Sequence, residues 1–148
     1  MKIIHGIESF EGQNNTAVVI GKFDCIHMGH DLILHDILSH KSEQLDSLVF
    51  TFQESPRFFL QTDTSDLIHN KNLITNEERR VLLSEKGIDY LVECDFDDEM
   101  RHMEPEEFIK MLVHIFHMKY ISCTESFHFG YQGRGDILLL QEMAKQYD

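Results

Sequence analysis

Two histidines three positions apart, His27 and His30, with Gly29 between them, are the residues of this sequence best suited to chemistry. Three residues is nearly one helical turn, so both imidazoles can face the same side of a helix that starts there. A helix N-terminus offers unpaired N–H groups and a partial positive charge, which together suit a phosphate. Gly29 leaves the backbone open where a nucleotide would lie. Nucleotidyl transfer takes an α-phosphate through a crowded, more negative transition state, and positioned N–H donors stabilise that charge. Imidazole supplies such donors in either charge state. Cys25, His27 and His30 also have the ligand types of a zinc site, but the sequence places no fourth ligand, and the expectation is no metal held by the protein there. A purely structural pair of histidines is a third reading.

Such a loop needs a strand before it and a helix after it, and both are legible. Ala17, Val18, Val19 and Ile20 form a short apolar, β-branched run stopped by Gly21, which reads as a buried strand. From 30 to 40, Leu32, Ile33, Leu34, Ile37 and Leu38 give a wide apolar helical face. Further strands are expected at 48–52, 90–94 and 120–123. Residues 53–72 show no clear period and include Pro56, so they read as a long loop, of the kind that is often functional. Thr75 and Glu78 form a capping box for a helix that runs to about 86 and stops at Gly87. Pro105, Glu106 and Glu107 open a helix reaching about 117, and a last helix covers 137–145. Alternating strands and helices predict an α/β fold, a Rossmann-like three-layer domain with a mostly parallel sheet.

Composition narrows the function classes. The chain has 148 residues, 42% hydrophobic and 26% charged, as a globular protein should. No apolar run approaches the roughly 20 residues that span a bilayer, and the N-terminus does not read as a secretory signal. No membrane partner and a cytoplasmic location are therefore expected. A formal net charge of -13 argues against nucleic acid, which needs a cationic surface. It leaves room for a small anion in a local pocket, especially beside a divalent cation. Cys25, Cys94 and Cys123 are expected as free thiols. His114 and His117 fall off the core stripe of Phe108, Met111, Leu112 and Ile115, on a solvated face. Asp95, Asp97, Asp98 and Glu99 read as a solvated loop.

The loop at 21–30, Gly-Lys-Phe-Asp-Cys-Ile-His-Met-Gly-His, closely resembles the G-K-F-D-G-x-H-x-G-H loop of bacterial FAD synthetases. These are FMN adenylyltransferase modules of the HxGH nucleotidyltransferase superfamily, usually fused to a riboflavin kinase. Thr51, Phe52, Gln53, Glu54, Ser55, Pro56 and Arg57 are similar to the family's T-F-x-P-H-P-R. Leu73, Ile74 and Thr75 with Glu77 and Glu78 resemble its L-T-x-x-E-K helix start. Residues 127–136 resemble its F-x-F-G-x-x-R-x-G-D segment, and the matches run in order along nearly the whole chain. The resemblance implies one nucleotidyltransferase domain over 1–148, the kinase module absent from these residues, and the reaction ATP + FMN → FAD + pyrophosphate. It implies Mg²⁺ carried with ATP and no covalent enzyme intermediate. His27 and His30 would be catalytic and hold the ATP phosphates. Gly21, Phe23, Asp24 and Gly29 would shape the ATP pocket. Phe52, Ser126 and Phe129 would line the flavin side, and Arg57 or Arg134 would meet a phosphate. Cys25 stands where the family has glycine, Glu54 where it has proline, Ser55 where it has histidine, and Ser126 where it has asparagine or aspartate. The sequence ends at Asp148, ahead of the family's S-S-T-x-I-R segment. Another phosphorylated acceptor, or nucleotide or flavin binding with little or no catalysis, are the alternative readings.

Overall fold

The computed structural model of the chain describes residues 1–23, 28–53 and 74–147. Strands β1 (Lys2–His5), β2 (Thr16–Ile20), β3 (Asp46–Phe52), β4 (Tyr90–Cys94) and β5 (Met118–Ser122) pair in parallel, in the order β1-β4-β3-β2-β5. The described helices are α1 (Met28–Ser39), α2 (Asn76–Glu85), the short α3 (Asp98–Arg101), α4 (Pro105–Phe116) and α5 (Ile137–Tyr147).

The side-chain period of two along each strand divides the core into two layers. Ala17, Val19, Val49 and Leu91 point to the face where Leu34 and Ile37 of α1 and Leu83 of α2 cover them. Val18, Leu48, Phe50 and Val92 point the other way, against Phe108, Leu112 and Phe116 of α4 and Leu140 and Met143 of α5. Both faces are covered, so the central strands carry continuous apolar runs (17–20, 48–50, 91–92) rather than alternating, with Thr51 and Glu93 as buried polar exceptions. The three-layer α/β architecture with a parallel sheet is thus as expected.

Several boundaries differ from the expectations. β1 has no counterpart among the expected strands: it is a four-residue edge strand whose burial is confined to Ile4, so it carries almost no hydrophobic signal. α1 begins at Met28, which puts His30 inside its first turn. Leu32, expected on the covered face, is 67% exposed. β5 begins at Met118, because its pairing with β2 starts at Thr16 and passes through a register shift. The acidic run is not simply a solvated loop: the Asp97 carboxylate accepts the Met100 N–H (2.9 Å) and caps α3, with Asp98 and Glu99 in the first turn where the helix dipole favours them.

Other expectations hold. The Thr75 hydroxyl accepts the Glu78 N–H (3.1 Å) while the Glu78 carboxylate accepts the Thr75 N–H (2.6 Å), a complete capping box. Gly87 ends α2 at φ +91, in the left-handed region. His114 and His117 are exposed. The expected loop at 53–72 lies, beyond Gln53, outside the described residues. Among the described residues no helix is long and apolar enough to cross a membrane.

Candidate active site

From β2 the chain moves to β3 and β4 on one side, then crosses back by way of α4 to lay β5 against the opposite side of β2. The connections after β2 and β5 therefore diverge at the carboxyl edge of the sheet, and such a switch point opens a crevice where open α/β sheets take their ligands. The connection after β2 leads into the 21–30 loop, and the one after β5 leads into residues 123–136.

On the first side, Gly21 donates its N–H to the Phe50 carbonyl (3.1 Å), which anchors the loop to β3. Phe23 is fully buried, and its backbone sits at φ +50. A left-handed conformation costs a non-glycine residue about 1–2 kcal/mol, so the surroundings must hold it. Its ring packs with Leu34, Ile37, Val49 and Leu83 and lies against the His30 imidazole, tilted by 46° with centroids 4.8 Å apart. A Cβ at Gly21 would stand 2.7 Å from the same ring, so glycine there is a matter of space. The structure thus brings Gly21, Phe23 and the half-buried His30 together at the N-terminal turn of α1, with Gly29 in the helical backbone beside them. Asp24, Cys25, His27, Ser55 and Arg57 lie outside the described residues.

On the other side, the glycine-containing stretch after β5 is tied down. Phe129 and Gly135 exchange backbone hydrogen bonds (3.1 and 2.8 Å), and the Tyr131 N–H donates to the Met103 carbonyl (2.8 Å). Gly130, at φ +78, runs so close to Pro105 that a Cβ would sit 2.6 Å from its Cα. Phe129 is 6% exposed; its ring packs against Phe108 and stacks on the half-buried Phe127 at 5.5 Å. Phe52 is half-buried between Phe50 (5.6 Å) and Phe96 (5.1 Å). Through Phe50 and Phe108 these rings form one continuous aromatic series on the α4 face. Ser126 is exposed, with its hydroxyl 3.3 Å from that of Thr124. Arg134 is exposed, folded over the Tyr131 ring (5.2 Å) and donating to Gln132 Oε1 (2.9 Å).

Sequence reading passed over a charge cluster behind the 21–30 loop. Glu93 is fully buried within β4. Arg80 donates to both of its oxygens (2.8 and 2.7 Å), the Arg79 guanidinium lies 3.8 Å away, and His5 Nδ1 is at 3.6 Å. Burial alone would raise the Glu93 carboxyl; the Arg80 hydrogen bonds and charge, then Arg79 and His5, outweigh it and hold the group below the usual carboxylate range. Arg79, 1% exposed, donates Nη1 to the Lys22 carbonyl (3.2 Å) and Nη2 to Asn76 Oδ1 (3.0 Å). The available signal was a carboxylate inside the apolar run Leu91, Val92, Glu93, Cys94. Phe96 was passed over too, and Phe127 was read only as part of the 127–136 segment, with no role of its own. Cys94 and Cys123 are free thiols; burial, then Asp97 and Asp95, push Cys94 up to about 11, so it stays protonated near neutrality.

A parallel sheet with a helix N-terminus and an imidazole at its switch point defines a three-layer α/β domain with a ligand crevice at that edge. The family model described as FAD synthetase matches residues 9–148, and the chain belongs to that family. It is 30% identical over 151 residues to the bifunctional riboflavin kinase/FMN adenylyltransferase of Buchnera aphidicola subsp. Schizaphis graminum, covering 100% of this chain and 47% of that protein. It is 29% identical over 149 residues to the FAD synthetase of Listeria monocytogenes, covering 100% of this chain and 59% of that one. The counterpart from Escherichia coli K12 is 29% identical over 151 residues, with 99% and 47% covered. The chain thus spans about half the length of the curated relatives it matches. A solved structure titled macrolide-efflux protein, from Streptococcus pneumoniae, superposes with a TM-score of 0.84 over 96% of this chain and 55% of that one, at 23% identity. That likeness is one of fold.

Proposed function

We propose that this chain carries out FMN adenylyl transfer, ATP + FMN → FAD + pyrophosphate. The observation that carries the reading is the imidazole of His30 in the first turn of α1, packed on a buried Phe23 at the switch point of the sheet. A phosphate oxygen of FMN attacks the α-phosphorus of ATP, the bond from that phosphorus to the bridging oxygen breaks, and pyrophosphate leaves with the electron pair. No covalent bond to the protein is needed. His30 and the N–H groups of α1 donate to the phosphate oxygens as charge develops; on the strength of the family loop His27 donates with them, while Asp24 and Gly29 help shape the ATP pocket. Gly21 and Phe23 shape the wall of the ATP pocket.

Mg²⁺ would arrive on the ATP phosphates, since that ion keeps most of its ligands from phosphate and water. The flavin ring would lie against the aromatic series of Phe52, Phe96, Phe127 and Phe129, whose flat faces suit an isoalloxazine. Ser126 is exposed within hydrogen-bonding reach of solvent on that side, and Arg134 or Arg57 would meet a phosphate.

The test is acceptor profiling with ATP and Mg²⁺. FMN should yield FAD and equimolar pyrophosphate, while riboflavin, which lacks the attacking phosphate, should yield neither. Turnover of a different phosphorylated acceptor with indifference to FMN would reassign the substrate. Calorimetric binding of ATP or FMN without turnover of any acceptor would leave a binding protein instead.

A further inference from the structure

We propose that Arg79 is a positioning residue for the phosphate-binding loop: by gripping the Lys22 carbonyl it holds Phe23 in its left-handed conformation against the His30 imidazole. This rests on the functional reading above for its kinetic consequence, but not for its structural one.

The Lys22 carbonyl belongs to the peptide plane whose rotation sets φ of Phe23. Two side chains from different elements reach that one oxygen, Arg79 Nη1 from α2 at 3.2 Å and, more weakly, Thr51 Oγ1 from β3 at 3.4 Å, a hydroxyl that lies equally close to the Phe52 carbonyl. Together they resist the rotation that would relax Phe23 out of φ +50. Arg79 is itself held by Asn76 in the first turn of α2 and faces the buried Glu93 at 3.8 Å. Glu93 in turn is fixed by the two hydrogen bonds from Arg80. A guanidinium is suited to this position, because its planar fork serves several acceptors at once in a fixed geometry. The contacts therefore run from Glu93 through Arg79 to Lys22, then through the Phe23 ring to His30. None of the first three needs to touch substrate. A ring shifted by a fraction of an ångström is still a buried ring, so stability need not report the change. The imidazole packed against it does.

The experiment pairs kinetics with proton NMR of the His30 ring. In wild type the ring current of Phe23 displaces the His30 ring signals from those of a free imidazole. Arg79→Met and Thr51→Val should both move these signals toward the free values, Arg79→Met by more. In FAD formation, Arg79→Met should lower kcat by roughly 10–100-fold, the scale of a misplaced catalytic group, with a smaller change in KM for ATP. Arg79→Lys, which keeps a cation beside Glu93 and can still reach a carbonyl, should recover most of that loss. The double variant with His30→Ala should be no slower than His30→Ala alone within about twofold, because both changes remove one effect. Multiplying rate losses, or His30 signals unchanged in both the Arg79 and Thr51 variants, would overturn the proposal. If Arg79→Met does not fold, Arg79→Lys and Thr51→Val decide it in the same way. If wild type makes no FAD, the functional reading falls while the His30 signals still decide the loop.

Discussion

Phe23 is fully buried while its backbone stands at φ +50, and the residue two before it is a glycine with no room for a methyl group. Gly21→Ala should therefore push on the Phe23 ring rather than on solvent. We expect it to destabilise the fold by about 1–3 kcal/mol, as overpacking does, and to slow FAD formation because His30 rides on that ring; urea unfolding and initial rates check both. Gly21 and His30 were legible from the sequence because a short loop between an apolar run and a helix brings them together locally, and Phe23 entered only through the family loop that this segment resembles. Arg79 was not, since its contact with the Lys22 carbonyl joins residues 57 apart, and nothing in the local pattern distinguishes it from a solvated helix charge. The reading of Leu32 as core failed for a related reason: a wide apolar face does not say how much of it the sheet covers.

Helix α2 carries this coupling, and its start is built from two hydrogen bonds between residues three positions apart. That locality is why the capping box could be read in advance. Thr75→Ala should cost about 1 kcal/mol, seen as a fall in Tm of about 3 °C. The same variant loosens the turn that bears Asn76 and Arg79, so its rate of FAD formation should fall alongside its stability. β1 shows the opposite case. An edge strand with one buried side chain has too little apolar content to announce itself, and its place beside β4 depends on long-range pairing. The switch point between β2 and β5 was hidden likewise: a run of parallel strands can be recognised from their composition, whereas their spatial order comes from which helices cross which face.

At the scale of the whole molecule, two acidic groups among the described residues, Glu93 and Asp89, are held below the usual carboxylate range. Burial opposes the shift in each case and is outweighed, at Glu93 by Arg80, Arg79 and His5, and at Asp89 by Ser47 and Lys41. The folded chain binds these protons more weakly than the unfolded chain does. Their contribution is therefore complete above the unfolded values, about 4.3 for Glu and 3.9 for Asp, and is lost as the pH falls through the lower folded values. Urea unfolding between pH 3 and 7 should show stability dropping in that acid range. Glu93→Gln should be less stable at neutral pH by roughly 3 kcal/mol, the cost of stripping a buried pair of its partner, and should lose less on acidification. A flat profile for wild type would contradict the charge cluster as described.

On the reading proposed above, the first turn of α1 is the phosphate site of an adenylyl transfer. The most direct test of that reading is FAD formation from ATP, Mg²⁺ and FMN by wild type and His30→Ala side by side, with folding of both confirmed. Wild type should turn over, and the variant should be slower by roughly 10²–10³, the scale of a lost transition-state donor. Equal rates in the two proteins would mean that His30 is not a donor in the transfer.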